Sequence, residues 1–140
     1  MKNRTTPANI TDLKENQIFV FGSNESGRHG KGAAKTALKW GAKWGQPEGL
    51  QGRTYGIPTK NASISNTLSL SKIDKYVQLF HEEAYVRMDL IFLVTEIGCG
   101  LAGLKPKDVA PLFKEASKLP NVYLPASFWR ILTKTDTCRQ

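Results

Sequence analysis

The fold is decided by residues 18–24, which read Ile18-Phe19-Val20-Phe21-Gly22-Ser23-Asn24. Four consecutive apolar residues are typical of a strand that is buried on both faces, as in a parallel sheet covered by helices. Residues 90–94 repeat the pattern with Leu90-Ile91-Phe92-Leu93-Val94. Each predicted strand runs into a glycine-rich segment, over residues 22–32 after the first and residues 98–103 after the second.

Segments with helical periodicity alternate with these strands. Residues 31–44 carry small and apolar residues at helical spacing, and another face carries a lysine every four residues, at Lys31, Lys35, Lys39 and Lys43. A second helix is predicted to begin near Ser71, paired with Asp74, and to bury Ile73, Tyr76, Val77, Phe80 and Ala84. A third is predicted to follow Asp108 as N-cap and to bury Val109, Leu112, Phe113 and Ala116.

Two shorter segments complete the predicted sheet. Thr54-Tyr55-Gly56-Ile57 predicts a strand that stops at Pro58, and Val122-Tyr123-Leu124 predicts the last strand. Strands that alternate with helices indicate an α/β domain, here a three-layer α/β/α arrangement around a mixed, largely parallel sheet. The 140 residues show no internal repeat and no linker, so one domain over residues 1–140 is expected.

Composition narrows the kinds of partner. With 20 Lys and Arg against 12 Asp and Glu, the formal net charge is +8, which favours an anionic ligand. The cysteines, Cys99 and Cys138, have no obvious partner, and no Cys/His cluster has zinc spacing, so neither a metal nor a cofactor is predicted. The polar N-terminal segment and the short apolar runs favour a cytoplasmic protein without a membrane span.

The glycine-rich segments predict a ligand site. In an open α/β sheet, ligands bind beyond the carboxyl ends of the strands, and glycine lets backbone N–H groups approach them closely. Neither segment matches the dinucleotide motif G-x-G-x-x-G or the phosphate-binding motif G-x-x-x-x-G-K-[ST]. The structural alternative is a pair of tight turns that bind nothing.

Four stretches of the chain together carry a family pattern. They are Phe21-Gly22-Ser23-Asn24, His29-Gly30-Lys31-Gly32-Ala33-Ala34, Ile57-Pro58-Thr59-Lys60 and Ile97-Gly98-Cys99-Gly100-Leu101-Ala102. In order and spacing they resemble the macrodomain family, an α/β fold that binds ADP-ribose, and they are most similar to the branch that includes terminal ADP-ribose glycohydrolase. The resemblance runs from residue 12 to about residue 124, and its last stretch is the most specific.

The resemblance implies a role for each matched residue. Asp12 would accept a hydrogen bond from the adenine amino group, and Asn24 would contact the distal ribose. One loop would line that ribose, with Gly30, Lys31, Gly32 and Ala33. The other would cradle the diphosphate on its backbone, with Gly98, Cys99, Gly100, Leu101, Ala102 and Gly103. Lys60 matches the lysine that attacks the anomeric carbon of the ribose in the glycohydrolase.

One position departs from the glycohydrolase pattern. That enzyme has an aspartate directly after Gly-Cys-Gly-Leu, where this chain has Ala102. Without that carboxylate we expect binding of ADP-ribose or a different hydrolysis, either de-ADP-ribosylation of a macromolecule or removal of phosphate from ADP-ribose 1''-phosphate. The candidate catalytic residues are Lys60, His29 and Asn24, and Glu25 and Glu96 are further candidates for acid–base chemistry.

Two other functions are compatible with the sequence. The lysine-rich face of the first helix would suit a basic nucleic-acid-binding module, and a fold with a filled pocket would serve a structural role. Individual residues also have structural interpretations. Trp40 and Trp44 are expected in helix–sheet packing and Cys99 beneath its loop, while Asp12 and His29 are turn or loop residues in this view.

Overall fold

The computed structural model describes residues 4–138, with side chains for residues 4–134. The strands and helices follow one another as β1 (Gln17–Asn24), α1 (Gly32–Ala37), β2 (Gly49–Gln51), β3 (Thr54–Lys60), α2 (Leu70–Val86), β4 (Ile91–Val94), α3 (Pro106–Val109), β5 (Val122–Tyr123) and α4 (Ala126–Cys138). Short 3₁₀ helices occupy Leu38–Trp40, Ala110–Phe113 and Ala116–Lys118. Within the described range, no helix has the length and apolar character needed to cross a membrane.

The strands form one mixed sheet in the order β2-β3-β1-β4-β5. The central strand β1 runs parallel to both β3 and β4, β5 runs parallel to β4, and β2 is antiparallel to β3. In register, Phe19 pairs with Thr54 on one side and with Leu93 on the other. The predicted α/β class with a largely parallel sheet is confirmed. The carboxyl ends of β1, β3 and β4 therefore meet at one edge.

Alternate residues of β1 belong to two separate cores. Ile18 and Val20 lie in the larger core, which contains the buried faces of α2 and α4. Phe19 and Phe21 lie on the opposite face of the sheet, with buried alanines of α1. Helices thus cover both faces, which explains why every residue from 18 to 21 is apolar.

The helix predicted over residues 31–44 is shorter than its periodicity indicated. α1 ends at Ala37, a 3₁₀ turn follows, and Gly41 has a left-handed φ of 106°. A Cβ on Gly41 would lie 2.8 Å from the Cα of Gly52, so the two segments touch at this point. Because this approach stops the chain from continuing as a helix after the 3₁₀ turn, the predicted helical row of four lysines is wrong: only Lys35 lies within α1, and Lys43 lies beyond the turn.

Three other predicted boundaries were wrong. β3 continues through Pro58. Because β2 pairs only with residues 54–56, Pro58 has a neighbouring strand on one side only, β1, and proline is tolerated at such an edge position. Ser69, not Ser71, caps α2, with its Oγ accepting a hydrogen bond from the N–H of Lys72 at 3.2 Å. Asp108 lies within α3, where its carboxylate accepts a hydrogen bond from the N–H of Lys105 at 3.2 Å.

The buried face of α2 was predicted correctly, whereas β2 and α4 were not predicted. Ile73, Val77, Phe80 and Ala84 are buried as expected, and Tyr76 is half-buried. β2 has three residues in a segment rich in glycine, proline and glutamine, and it is a strand because it pairs with β3. Tertiary contacts thus formed elements that local sequence signals did not mark.

Candidate functional site

A cleft of about 850 Å³ lies at the carboxyl edge of the sheet. It is lined by the ends of β1 and β3 and by the two glycine-rich segments that follow β1 and β4. The predicted ligand-binding residues in its lining are Asn24, Gly30, Lys31, Gly32, Ala33, Gly98, Cys99, Gly100, Leu101 and Ala102. The two segments that the sequence assigned to one ligand therefore border one cleft.

Several backbone N–H groups in the loop over residues 98–103 have no acceptor in the described part of the chain. The loop is closed by hydrogen bonds from the N–H of Leu104 to the carbonyl of Gly98, at 2.8 Å, and from the N–H of Gly103 to the carbonyl of Gly100, at 3.0 Å. Within residues 4–138, no protein acceptor takes the N–H groups of Gly98, Gly100, Leu101 and Ala102. Successive free N–H groups of this kind form anion-binding concavities. Gly103, also predicted to bind ligand, does not line the cleft.

The two glycine-rich segments contact each other. Gly32 has a left-handed φ of 61°, and a Cβ at that position would lie 3.4 Å from Cδ1 of Leu101. Leu101 is itself 66% exposed. Any other residue at position 32 would be strained by this left-handed backbone, whereas its Cβ would make only an ordinary contact with Leu101.

Asn24 lines the cleft, and its amide also holds the loop that follows β1. The side-chain Oδ1 accepts a hydrogen bond from the N–H of Arg28 at 2.9 Å, and Nδ2 donates to the carbonyl of Arg28 at 2.8 Å. The side chain is buried, so these bonds are protected from water. Asn24 therefore positions the loop that carries the first glycine-rich segment.

The charged side chains of the cleft are mainly cationic. Lys60 lies half-buried at the end of β3, and Arg28 and Lys31 are exposed side chains in the lining. Glu96 is the acidic residue in this lining, and its carboxylate accepts a hydrogen bond from the hydroxyl of Ser127. Three cations against one carboxylate favour an anionic ligand.

His29 does not belong to the cleft, contrary to its proposed role there. Its ring is fully buried, lies edge-on to Phe21 with centroids 5.3 Å apart, and has Nε2 3.1 Å from the carbonyl of Gln46. Packing between β1 and the loop before β2 directs the ring into the protein interior. The ring is not among the residues that line the cleft, so the structure gives no support to the predicted catalytic role of His29 there.

Asp12 and Glu25 also lie outside the lining. Asp12 is exposed, accepts a hydrogen bond from the N–H of Leu13 at 3.0 Å, and lines neither of the two clefts found here, so its predicted adenine contact has no support. The carboxylate of Glu25 accepts a hydrogen bond from the Tyr76 hydroxyl at 2.7 Å and pairs with Lys72 at 3.1 Å. These contacts lower the pKa of Glu25, with the Tyr76 hydrogen bond as the largest cause. Glu25 is therefore a link between β1 and α2.

Cys99 and Ala102 lie in the loop over residues 98–103. Burial, followed by the charges of Glu96 and Asp108, raises the pKa of the Cys99 thiol to about 11, so it is protonated at neutral pH. Cys99 packs against the larger core, as predicted. The carbonyl of Ala102 accepts a hydrogen bond from the Thr67 hydroxyl at 2.6 Å, which fixes the end of the loop. Among the described residues, no group of three His, Cys, Asp or Glu side chains could hold a metal ion.

Several lining residues were not predicted, and Trp44 is the most prominent. Trp40 is half-buried against Phe19, with ring centroids 5.0 Å apart, as expected. Trp44 was expected to pack in the same way, but it is 62% exposed and lines the cleft. A sequence signal was present, because Trp44 lies between Gly41 and Gly45, and the low helix propensity of glycine disfavours a helix there.

A second cleft, of about 620 Å³, adjoins the first and shares Ala33, Thr95 and Glu96 with it. Its other walls are the N-terminal segment over residues 5–10 and the start of α4, including Ser127 and Arg130. The hydroxyl of Thr6 in this lining is buried and has no hydrogen-bond partner among the described residues. The shared residues make the two clefts continuous, and residues 98–102 line the first cleft only.

No known protein family, curated protein or solved structure matches this chain.

Proposed function

We propose that this protein binds ADP-ribose or a close derivative in the two adjoining clefts, as a macrodomain-like module. The observation that carries the proposal is the loop over residues 98–103: Gly98, Gly100, Leu101 and Ala102 line the cleft, and their N–H groups have no acceptor among the described residues. A diphosphate is an acceptor-rich dianion that such a loop satisfies without a metal. The cationic lining, with Arg28, Lys31 and Lys60, adds long-range attraction.

The shape of the site supports an elongated ligand. The cleft volumes, about 850 Å³ and 620 Å³, are within the usual range for small-molecule sites. With the diphosphate on the glycine loop, one nucleoside would occupy the second cleft, and the distal ribose would lie in the first cleft beside Asn24 and Gly30. In this arrangement the adenine contacts come from the walls of the second cleft, because Asp12 lies outside them.

Hydrolysis is a separate hypothesis. Lys60 brings an amine to the cleft, but Ala102 leaves the loop without a carboxylate, and Glu96 is held by Ser127. De-ADP-ribosylation or removal of a terminal phosphate would therefore depend on groups of the ligand or on Glu96. Binding needs neither a catalytic carboxylate nor a free Glu96, so we propose binding rather than hydrolysis as the function.

Calorimetric titration with ADP-ribose tests the proposal, and we expect micromolar-range affinity. Ala33 is exposed and lines both clefts, so Ala33→Glu places bulk and negative charge where the ligand would cross between them. An acidic residue in the first turn of α1 is favourable for the helix, so this variant should fold. We expect its affinity to fall at least about tenfold.

Ser71→Glu is the matched control, because it makes the same charge change on an exposed position of α2 outside both clefts. Its affinity for ADP-ribose should equal that of the unmodified protein. Absence of heat at millimolar ADP-ribose, or equal losses in the two variants, would contradict the proposal.

Nucleic-acid binding stays a prediction, and the salt dependence of the affinity distinguishes it from ADP-ribose binding. Lys31, Lys35, Lys39 and Lys43 are all exposed, although they do not share one helix. Affinity for single-stranded DNA should fall steeply between about 50 and 200 mM salt if these lysines contact phosphates. Binding of ADP-ribose through backbone N–H groups should change far less over the same interval.

A further inference from the structure

Trp44 is an exposed aromatic residue at the rim of the principal cleft. It is 62% exposed, yet it belongs to the cleft lining. A Cβ on Gly30 would lie 3.9 Å from Cη2 of Trp44, so the indole is next to the first glycine-rich segment. Under the proposed function that segment lines the distal ribose, which puts the indole beyond the ribose at the outer end of the ligand.

The loop that carries Trp44 is firmly braced, so its exposure does not result from a loose segment. The N–H of Gly45 donates to the carbonyl of Gly27 at 2.8 Å, and the N–H of Lys43 donates to Oε1 of the buried Gln51 at 2.7 Å. A Cβ on Gly27 would lie only 2.6 Å from the backbone of Gln46, so the two loops are in direct contact. The backbone on both sides of Trp44 is therefore fixed against the rest of the site.

Aromatic packing behind the indole also holds Trp44 in place. The buried ring of His29 lies edge-on to Trp44, with centroids 6.4 Å apart, and also edge-on to Phe21, with centroids 5.3 Å apart. This aromatic row connects the exposed indole to the core. An indole that is held in place before a ligand arrives loses little conformational freedom on binding.

We propose that Trp44 forms a stacking subsite for a planar aromatic ring attached beyond the distal ribose of the ligand. This inference rests on the proposed ADP-ribose site and adds a second ring to the ligand class. Indole faces stack on nucleobases and similar heterocycles. In the lining of this cleft the cations Arg28, Lys31 and Lys60 outnumber Glu96, so a neutral ring is preferred to a cationic one.

The test compares three ligands that share the adenosine diphosphate part. ADP-ribose carries no second ring, diadenosine diphosphate carries a neutral purine, and oxidised nicotinamide adenine dinucleotide carries a cationic pyridinium. We expect the unmodified protein to bind diadenosine diphosphate about tenfold more tightly than ADP-ribose in calorimetry, from the usual size of base–aromatic stacking. The pyridinium ligand should lie between the two.

Substitutions then assign the gain to the indole. Trp44→Ala should make the affinities for diadenosine diphosphate and ADP-ribose equal within about twofold, and Trp44→Phe should keep most of the preference for diadenosine diphosphate. Tyr85→Ala is the control, because Tyr85 is 67% exposed on α2 and lies outside both clefts. A preference for the pyridinium ligand that disappears in Trp44→Ala would also support the subsite, and it would identify nicotinamide as the ring that stacks on Trp44.

Two results would overturn the subsite alone: equal affinity of the unmodified protein for all three ligands, or a preference for a ligand with a second ring that persists in Trp44→Ala. Failure of the unmodified protein to bind any of the three ligands would instead remove the proposed function, and the subsite with it. The two failures are distinguished by the ADP-ribose titration of the unmodified protein.

Discussion

Substitution of Gly98 by alanine should weaken both the fold and the ligand loop. Gly98 has a φ of 77°, and a Cβ there would lie 3.1 Å from Cδ1 of Leu104 and 3.6 Å from Cγ2 of Val109. The left-handed conformation is strained for alanine, and Leu104 must move by a few tenths of an ångström to make room. Gly100, two positions along the same loop, is the matched control, because a Cβ there meets nothing within 4 Å.

The two substitutions are expected to change the free energy of unfolding differently. A left-handed conformation costs an L-residue about 1–2 kcal/mol, and crowding against Leu104 adds to that cost. Loss of unfolded-state entropy returns about 0.4–1 kcal/mol in any Gly→Ala change whose backbone fits. Gly98→Ala should therefore lower the free energy of unfolding by about 1–2 kcal/mol, whereas Gly100→Ala should leave it unchanged or slightly raised. For a chain of this size, the first change corresponds to a fall in Tm of about 3–8 °C.

Thermal unfolding followed by circular dichroism measures the stability difference, and ADP-ribose titration of the same samples measures the site. Because Gly98 contributes a free N–H and anchors the loop through its carbonyl, Gly98→Ala should also weaken ADP-ribose binding by about fivefold or more. Gly100→Ala should bind almost as the unmodified protein does. If the two variants unfold within about 1 °C of each other, the strain argument for Gly98 is refuted.

Two further predictions concern the charged groups. Lys60→Ala should leave most of any measured ADP-ribosyl hydrolase turnover intact, because Ala102 replaces the carboxylate that a lysine mechanism would need; loss of turnover with ligand binding retained would reverse this conclusion. Glu25 has a lowered pKa in the folded state, so its contribution to stability is present above its ordinary pKa of 4.5 and is lost as the pH falls through the folded value. Tyr76→Phe removes the largest cause of that shift, and urea unfolding from about pH 5 to pH 3 should show a smaller loss of stability than in the unmodified protein. An equal loss in both proteins would show that the Tyr76 hydrogen bond does not set the acid dependence.

Local sequence signals were sufficient for the centre of the fold. β1 and β4 were predicted from continuous apolar runs, and the buried residues of α2 from their spacing, because burial on a strand or helix face leaves a periodic trace within one segment. The glycine-rich segments after β1 and β4 were assigned to one ligand edge for a similar reason. Parallel neighbouring strands bring their carboxyl ends together whatever their loops contain.

Contacts between distant segments decided the rest of the site. The approach of Gly41 to Gly52 ended the first helix early, and nothing near Gly41 in sequence marks Gly52 as its neighbour. The burial of His29 depends on Phe21 and on the carbonyl of Gln46, which lies 17 positions away. The ring of His29 packs against Trp44, which periodicity assigned to the core but which is an exposed residue of the cleft.

By itself, the sequence determined the α/β class, the two central strands and the two glycine-rich loops beside one sheet edge, because each follows from residue types within a short segment. Only the tertiary structure decided which side chains reach the cleft, bringing Lys60, Arg28 and Trp44 to it and leaving His29, Asp12 and Glu25 outside it. The physical reason is that a side chain's direction depends on the backbone hydrogen bonds and packing of its whole loop. Those contacts join residues far apart in the chain.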